Sequence, residues 1–148
     1  MNIILFFVII NFILTAISDV ILNLLSRNSF IKKHNFKIIL SLKPYFRNKT
    51  MLQSATYAGL TILVALLINM IISKNITGII VPKNKCELFK FILIAFPLGY
   101  AVDIIINKCK IFGNDLELYY KVAGAGLWGA IAFVFSIIFS YLITNVFL

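Results

Sequence analysis

This 148-residue chain has little of what soluble enzymes use: one histidine, two cysteines and five acidic residues. A lone His34 cannot build a Cys/His metal cluster, because a structural zinc site needs four such ligands. The two cysteines, Cys86 and Cys109, bracket one long apolar stretch. A helix between them would hold them roughly 34 Å apart at 1.5 Å per residue. A disulfide needs Cα atoms within about 7 Å, so they cannot pair within one chain. Asp115, Glu117, Tyr119 and Tyr120 cluster in sequence, but no histidine, serine-nucleophile elbow or metal set accompanies them. The expectation is a protein that is not an enzyme and holds no metal or cofactor.

Charge is also missing over long runs. Residues 1–26 contain one charged side chain, Asp19; residues 50–73 contain none; residues 91–107 contain only Asp103; residues 122–148 contain none. Hydrophobic residues make up 61% of the chain and the mean hydropathy is +1.01. A soluble fold this small has too little interior to hide that much apolar surface. A membrane-crossing helix needs roughly 20 apolar residues. Inside lipid each backbone polar group must be satisfied within its own structure, so such runs become helices. The ~10-residue alternating segments of a membrane β-barrel are absent. The reading is an all-α integral membrane bundle with about four transmembrane helices, forming a single domain over residues 1–148. Its spans fall at about residues 3–26, 51–73, 88–107 and 122–146, the third reaching full length only by including Cys86 to Phe89.

The net charge of +9 comes from cations flanking the spans. No basic domain stands apart from the bilayer, so nucleic acid is not an expected partner. The segment after span one carries seven cations, the next loop four and the third loop three. Loops one and three share a side in a four-span chain, giving ten cations against four. The positive-inside rule then places residues 27–50 and 108–121 in the cytoplasm and both termini opposite. A cleaved signal peptide ending near Ala16-Ile17-Ser18 would leave three spans. Against it, the leading residues lack Lys or Arg and Asn11 interrupts the apolar run. The sequons at Asn48 and Asn75 differ under this topology, and only Asn75 would lie outside.

In the first loop, Ile31, Ile38, Ile39, Leu42, Tyr45 and Phe46 share an arc of about 120° on a helical wheel. Lys32, Lys33, Lys37, Lys43 and Arg47 lie opposite, and Pro44 would end or kink the helix. One reading is an interfacial amphipathic helix after the first span, its cations on anionic lipid head groups. The other is a basic loop whose apolar residues cap the bundle.

Polar residues recur inside the spans at helical spacing. Asn11, Thr15, Asp19 and Asn23 share one face of span one. Ser54, Ala58, Thr61, Ala65 and Asn69 form a weaker stripe in span two. Tyr100, Asp103 and Asn107 follow Pro97 in span three, and Ser136, Ser140 and Thr144 line span four. Residues three or four apart lie on one helix face, so these faces should turn inward. Asp19 and Asp103 stand out, because a carboxylate within a span normally faces a bundle interior or water. On parallel helices they would lie at similar depth, with Asn11, Asn23, Tyr100 and Asn107 lining a candidate intramembrane polar site. Two facing acids would suit proton or cation handling; local pairing of each acid is the plainer reading. Repeated charges and half-length inverted-repeat helices, which mark many transporters, are lacking.

Pro97 and Gly99 form a candidate hinge, since proline removes one helix hydrogen bond and glycine admits a close neighbour. Residues 124–129 spell the letters of a dinucleotide-binding loop, but that motif needs a preceding strand. Gly124, Gly126 and Gly129 read instead as helix-packing positions.

Phe96-Pro97-Leu98-Gly99-Tyr100, Ile111-Phe112-Gly113 and the run from Tyr119 through Ala130 resemble small uncharacterised multi-span membrane proteins of large DNA viruses. The Asn-, Ile-, Lys- and Phe-rich composition fits AT-rich viral genomes. The resemblance covers about the last 55 residues and implies a protein of host or virion membranes, without implying any catalytic residue. The role expected is structural or interaction-based, with a second copy or another membrane protein as partner. The alternative is a small proton or cation channel or transporter using the two acids.

Overall fold

The computed structural model describes residues 2–26, 51–109 and 122–148. Their regular structure consists of four helices: α1 Ile3–Ser26, α2 Met51–Thr77, α3 Lys85–Lys108 and α4 Val122–Phe147. All four are long and apolar enough to cross a bilayer, which makes this a multi-pass membrane bundle. The basic segment with Lys32, Lys33, Lys37, Lys43 and Arg47 lies outside the described residues, as does most of the third loop.

The helix ends follow local chemistry. The α1 start is capped by Asn2, whose side-chain oxygen accepts from the Ile4 N–H at 2.9 Å. The end of α2 lies past Lys74, at Gly78, which takes a positive φ of 73° and donates its N–H to the Lys74 carbonyl. Glycine adopts that left-handed conformation without the Cβ penalty, so it stops the helix. Helix α2 therefore extends four residues beyond the expected span end at residue 73.

The start of α3 is fixed by a reciprocal cap. Asn84 Oδ1 accepts from the Glu87 N–H at 2.9 Å, and Glu87 Oε2 accepts from the Lys83 N–H at 2.8 Å. This is a variant of the capping box, in which Glu87 takes the N–H of Lys83 and not that of the cap residue Asn84, with an acid in the first turn favoured by the helix dipole. It places Cys86 to Phe89 inside α3, as the length of that span requires. Asn84→Ala should weaken the first turn of α3 by about 1 kcal/mol. Amide exchange checks this: the Glu87 N–H should lose protection while amides near Ala95 keep theirs.

Pro97 lies within α3, and the helix continues through it to Lys108. Pro97 itself is exposed. The two cysteines are free and exposed at opposite ends of this helix.

Packing follows a ring. Each helix has its main contacts with two neighbours, in the order α1, α2, α3, α4 and back to α1, with the α3–α4 seam the most extensive. Along that seam Gly99 lies against Ala130 and Phe133, and Asp103 lies against Gly129. Numbers rise in α3 as they fall in α4, so the two are antiparallel. The seven-residue connection 78–84 makes α2 and α3 antiparallel as well.

Helices α1 and α3 lie diagonally and meet across the centre. The rings of Phe7 and Phe91 pack edge-to-face, with centroids 6.2 Å apart and planes at 88°. Both phenylalanines sit near the starts of their helices, so α1 and α3 run in the same direction. The outward face of α1 repeats every four residues as Leu5, Ile9, Ile13, Ile17 and Ile21, all exposed. Its inward face repeats with the same step as Phe7, Asn11 and Thr15, all buried. In a soluble helix the large aliphatic residues would be inside; here lipid takes them.

Candidate functional site

Two polar regions lie within the bundle, one in each half. The first is on the side of the chain ends and the α2–α3 turn. Asn11 is fully buried and its amide donates to Ser140 Oγ of α4 over a long 3.4 Å. Asn69 of α2, also fully buried, donates to the Phe91 carbonyl over 3.5 Å. Ser73 lies one turn beyond Asn69, within 3.1 Å of the Thr77 hydroxyl, and Thr77 donates to the Ser73 carbonyl at 2.7 Å. The helical carbonyls of Asn11 and Tyr57 likewise take hydrogen bonds from Thr15 and Thr61, which removes those hydroxyls from the seam.

The second region is set by Asp103. The residue is only 7% exposed, and its carboxyl is seated on the bare Cα of Gly129. A Cβ at Gly129 would fall 2.7 Å from Asp103 Cβ and Cγ, and 2.8 Å from Oδ2. No larger residue leaves room for this seat.

Asp19 is half-buried on α1. Asp19 follows Phe7 by twelve residues, and Asp103 follows Phe91 by the same twelve. The two phenylalanines touch, so on parallel helices both acids lie roughly 18 Å further along, at matching depth. Neither acid is without an interaction partner.

Tyr100, between the proline and Asp103, is half-buried. The side chains of Asn23 and Asn107 lie outside the described residues. Gly124 and Gly126 lie within α4, but their surroundings are also outside the described set. Gly99 is buried on α3, where an added Cβ would fall 2.9 Å from Phe133 Cδ1 and 3.3 Å from the Ala130 Cα. It therefore serves close α3–α4 contact.

Two features are not evident from the sequence as site residues. Asn69 stands in a weak stripe expected to turn inward, and it is buried as that stripe implies, but nothing in the stripe marks it as a site residue or names its partner. Ser73, one turn on, falls at the edge of the expected span. The signal that could reveal them is the four-residue step from Asn69 through Ser73 to Thr77. Among the described residues, no group of three His, Cys, Asp or Glu side chains could hold a metal ion.

The polar groups of the first region tie α1 to α4 and α2 to α3. Between the polar regions the centre is apolar: Leu66, Phe133 and Ile137 are each fully buried, while the equally buried Phe7 and Phe91 sit among the polar groups of the first region. No protein-family model, no curated protein and no solved structure matches this chain.

Proposed function

We propose that this protein is a structural or interaction component of a membrane, in a virus or a virus-modified host compartment. Loops 27–50 and 108–121 face the cytoplasm in this reading, and both termini lie opposite. The cation asymmetry of the loops supports that orientation, and the resemblance of the C-terminal stretch supports the viral setting. The role itself rests on one observation above the others, the filled apolar centre. Leu66, Phe133 and Ile137 are each 0% exposed, lie between the two polar regions, and pack into one cluster with Phe7 and Phe91. Conduction needs polar or hydrated groups linking one face to the other, whereas a scaffold needs dense packing.

The second reading, a proton or cation pathway, is favoured by the matching depth of Asp19 and Asp103. Flux through purified protein in liposomes separates the two. The structural reading expects proton flux equal to that of empty liposomes, unchanged by Asp19→Asn/Asp103→Asn. Wild-type flux abolished by that pair of substitutions would establish the acids as a transport site instead.

A further inference from the structure

Three buried polar atoms lack any hydrogen-bond partner among the described residues: Asn11 Oδ1, Asn69 Oδ1 and Thr144 Oγ1. Their residues are 0%, 0% and 3% exposed. An amide oxygen left bare in an apolar interior is costly, and native proteins rarely tolerate it. All three lie in the half of the bundle nearest the chain ends, distributed around the Phe7–Phe91 pair. Asn11 is one turn from Phe7, and Asn69 donates to the Phe91 carbonyl.

Exchanging the amide oxygen and nitrogen of Asn11 would only move the deficit. Ser140 could then donate to the oxygen, leaving the NH₂ group unmet. Thr144 lies one turn beyond Ser140 on the same face of α4. Thr15, Thr56, Thr61 and Thr77 all donate to the carbonyl four residues earlier. Thr144 does not, so its hydroxyl remains available to something else. The two asparagine contacts are long, at 3.4 and 3.5 Å, which leaves both amides incompletely satisfied.

We infer that this half of the bundle binds two internal water molecules, one on each side of the aromatic pair. The first is held by Asn11 Oδ1 with the hydroxyls of Ser140 and Thr144, in the α1–α4 seam. The second is held by Asn69 Oδ1 in the α2–α3 seam, beside Ser73. The chemistry selects water. Two bare carbonyl-type oxygens and a free hydroxyl call for a small donor that can also accept, and a buried water typically makes about three such bonds. No carboxylate belongs to either set, so a cation would enter an apolar interior without a compensating charge. The Ser73–Thr77 pair reaches from the core to exposed Thr77, giving the second water a polar route to the membrane face.

Radiolytic labelling in ¹⁸O-water tests this on the full chain in lipid nanodiscs, because hydroxyl radicals form where water is bound. Phe7, Phe91 and Phe133 are equally sealed from solvent, so they calibrate one another. Phe7 and Phe91 should incorporate label several-fold faster than Phe133. Asn11→Leu should bring Phe7 down to the Phe133 rate, and Asn69→Leu should do the same for Phe91. Thr144→Val, nearly isosteric, should lower Phe7 alone and guards against misfolding of the leucine variants. Equal rates at all three phenylalanines in the wild type would overturn the inference. A melting temperature raised by sodium, potassium or ammonium relative to N-methylglucamine, and insensitive to these ions in Asn11→Leu, would overturn it in favour of a cation.

Discussion

Valine in place of Gly129 is expected to force α3 and α4 apart, with a stability loss of about 1–3 kcal/mol or more. The reason is specific to the atoms involved. An added Cβ would meet Asp103 Cβ and Cγ at 2.7 Å and Oδ2 at 2.8 Å. A flexible side-chain tip could rotate away, but Asp103 Cβ is fixed to the α3 backbone. The helices must therefore separate, and the Gly99–Ala130–Phe133 contact one turn away would loosen with them. Second-site changes make the cause identifiable. Asp103→Ala removes two of the three clashing atoms and should restore part of the loss. Asp103→Gly removes all three and should restore more of the interaction, less about 1 kcal/mol for glycine in a helix. Unfolding in mixed detergent micelles, run as a double-mutant cycle, measures the coupling. Strictly additive losses would show that the carboxyl seat on Gly129 carries no stability.

Truncation of Phe91 to alanine should cost about 3–5 kcal/mol, the range for deleting a buried aromatic ring. Phe91 is fully buried, packs edge-to-face on Phe7 and supplies the carbonyl that Asn69 reaches. It thereby joins α1, α2 and α3 at one level. The edge-to-face pair accounts for about 0.5–1.5 kcal/mol of that beyond simple burial. Phe7→Ala should be comparably damaging, and the two together less damaging than their sum, because the first deletion already breaks the shared contact. The same detergent titration reads all three variants. Full additivity would mean that each ring is held by its own neighbours and that the diagonal contact is incidental.

The spans are legible in the sequence because charge is so expensive in hydrocarbon that its absence over roughly 20 residues points strongly to a membrane crossing. Helix ends are less so. Residues 85–90 carry Lys85, Glu87 and Lys90, which keeps them outside an uncharged run, yet α3 begins at Lys85. Charge excludes a residue from the hydrocarbon and does not exclude it from a helix, and the decisive signal is the pairing of Asn84 with Glu87. Within the spans, four-residue spacing identifies Asn11 and Thr15 as an inward face, and small size identifies Gly99 and Gly129 as contact points. Partners are not legible. That Gly129 seats Asp103, or that Asn11 meets Ser140 from the far end of the chain, depends on how each helix is rotated and which helices are neighbours. Spacing within one helix carries neither quantity. Asn69 shows the same limit: its stripe marks an inward face, but nothing in it says that the amide reaches the Phe91 carbonyl of α3.

The connection between α2 and α3 bears on how the protein enters its membrane. Only residues 78–84 separate the two helices, and Ile79, Val81 and Pro82 in that stretch are buried against the bundle end. A link this short makes α2 and α3 a helical hairpin, a unit in which two spans can enter a bilayer together. In the orientation proposed above the link crosses during insertion, its apolar residues lower the penalty of that passage, and Lys74, Lys83, Lys85 and Lys90 at its margins are the charges that oppose it. Adding acidic or bulky polar residues within 78–84 would thus act on the yield of inserted protein before it acted on the finished bundle.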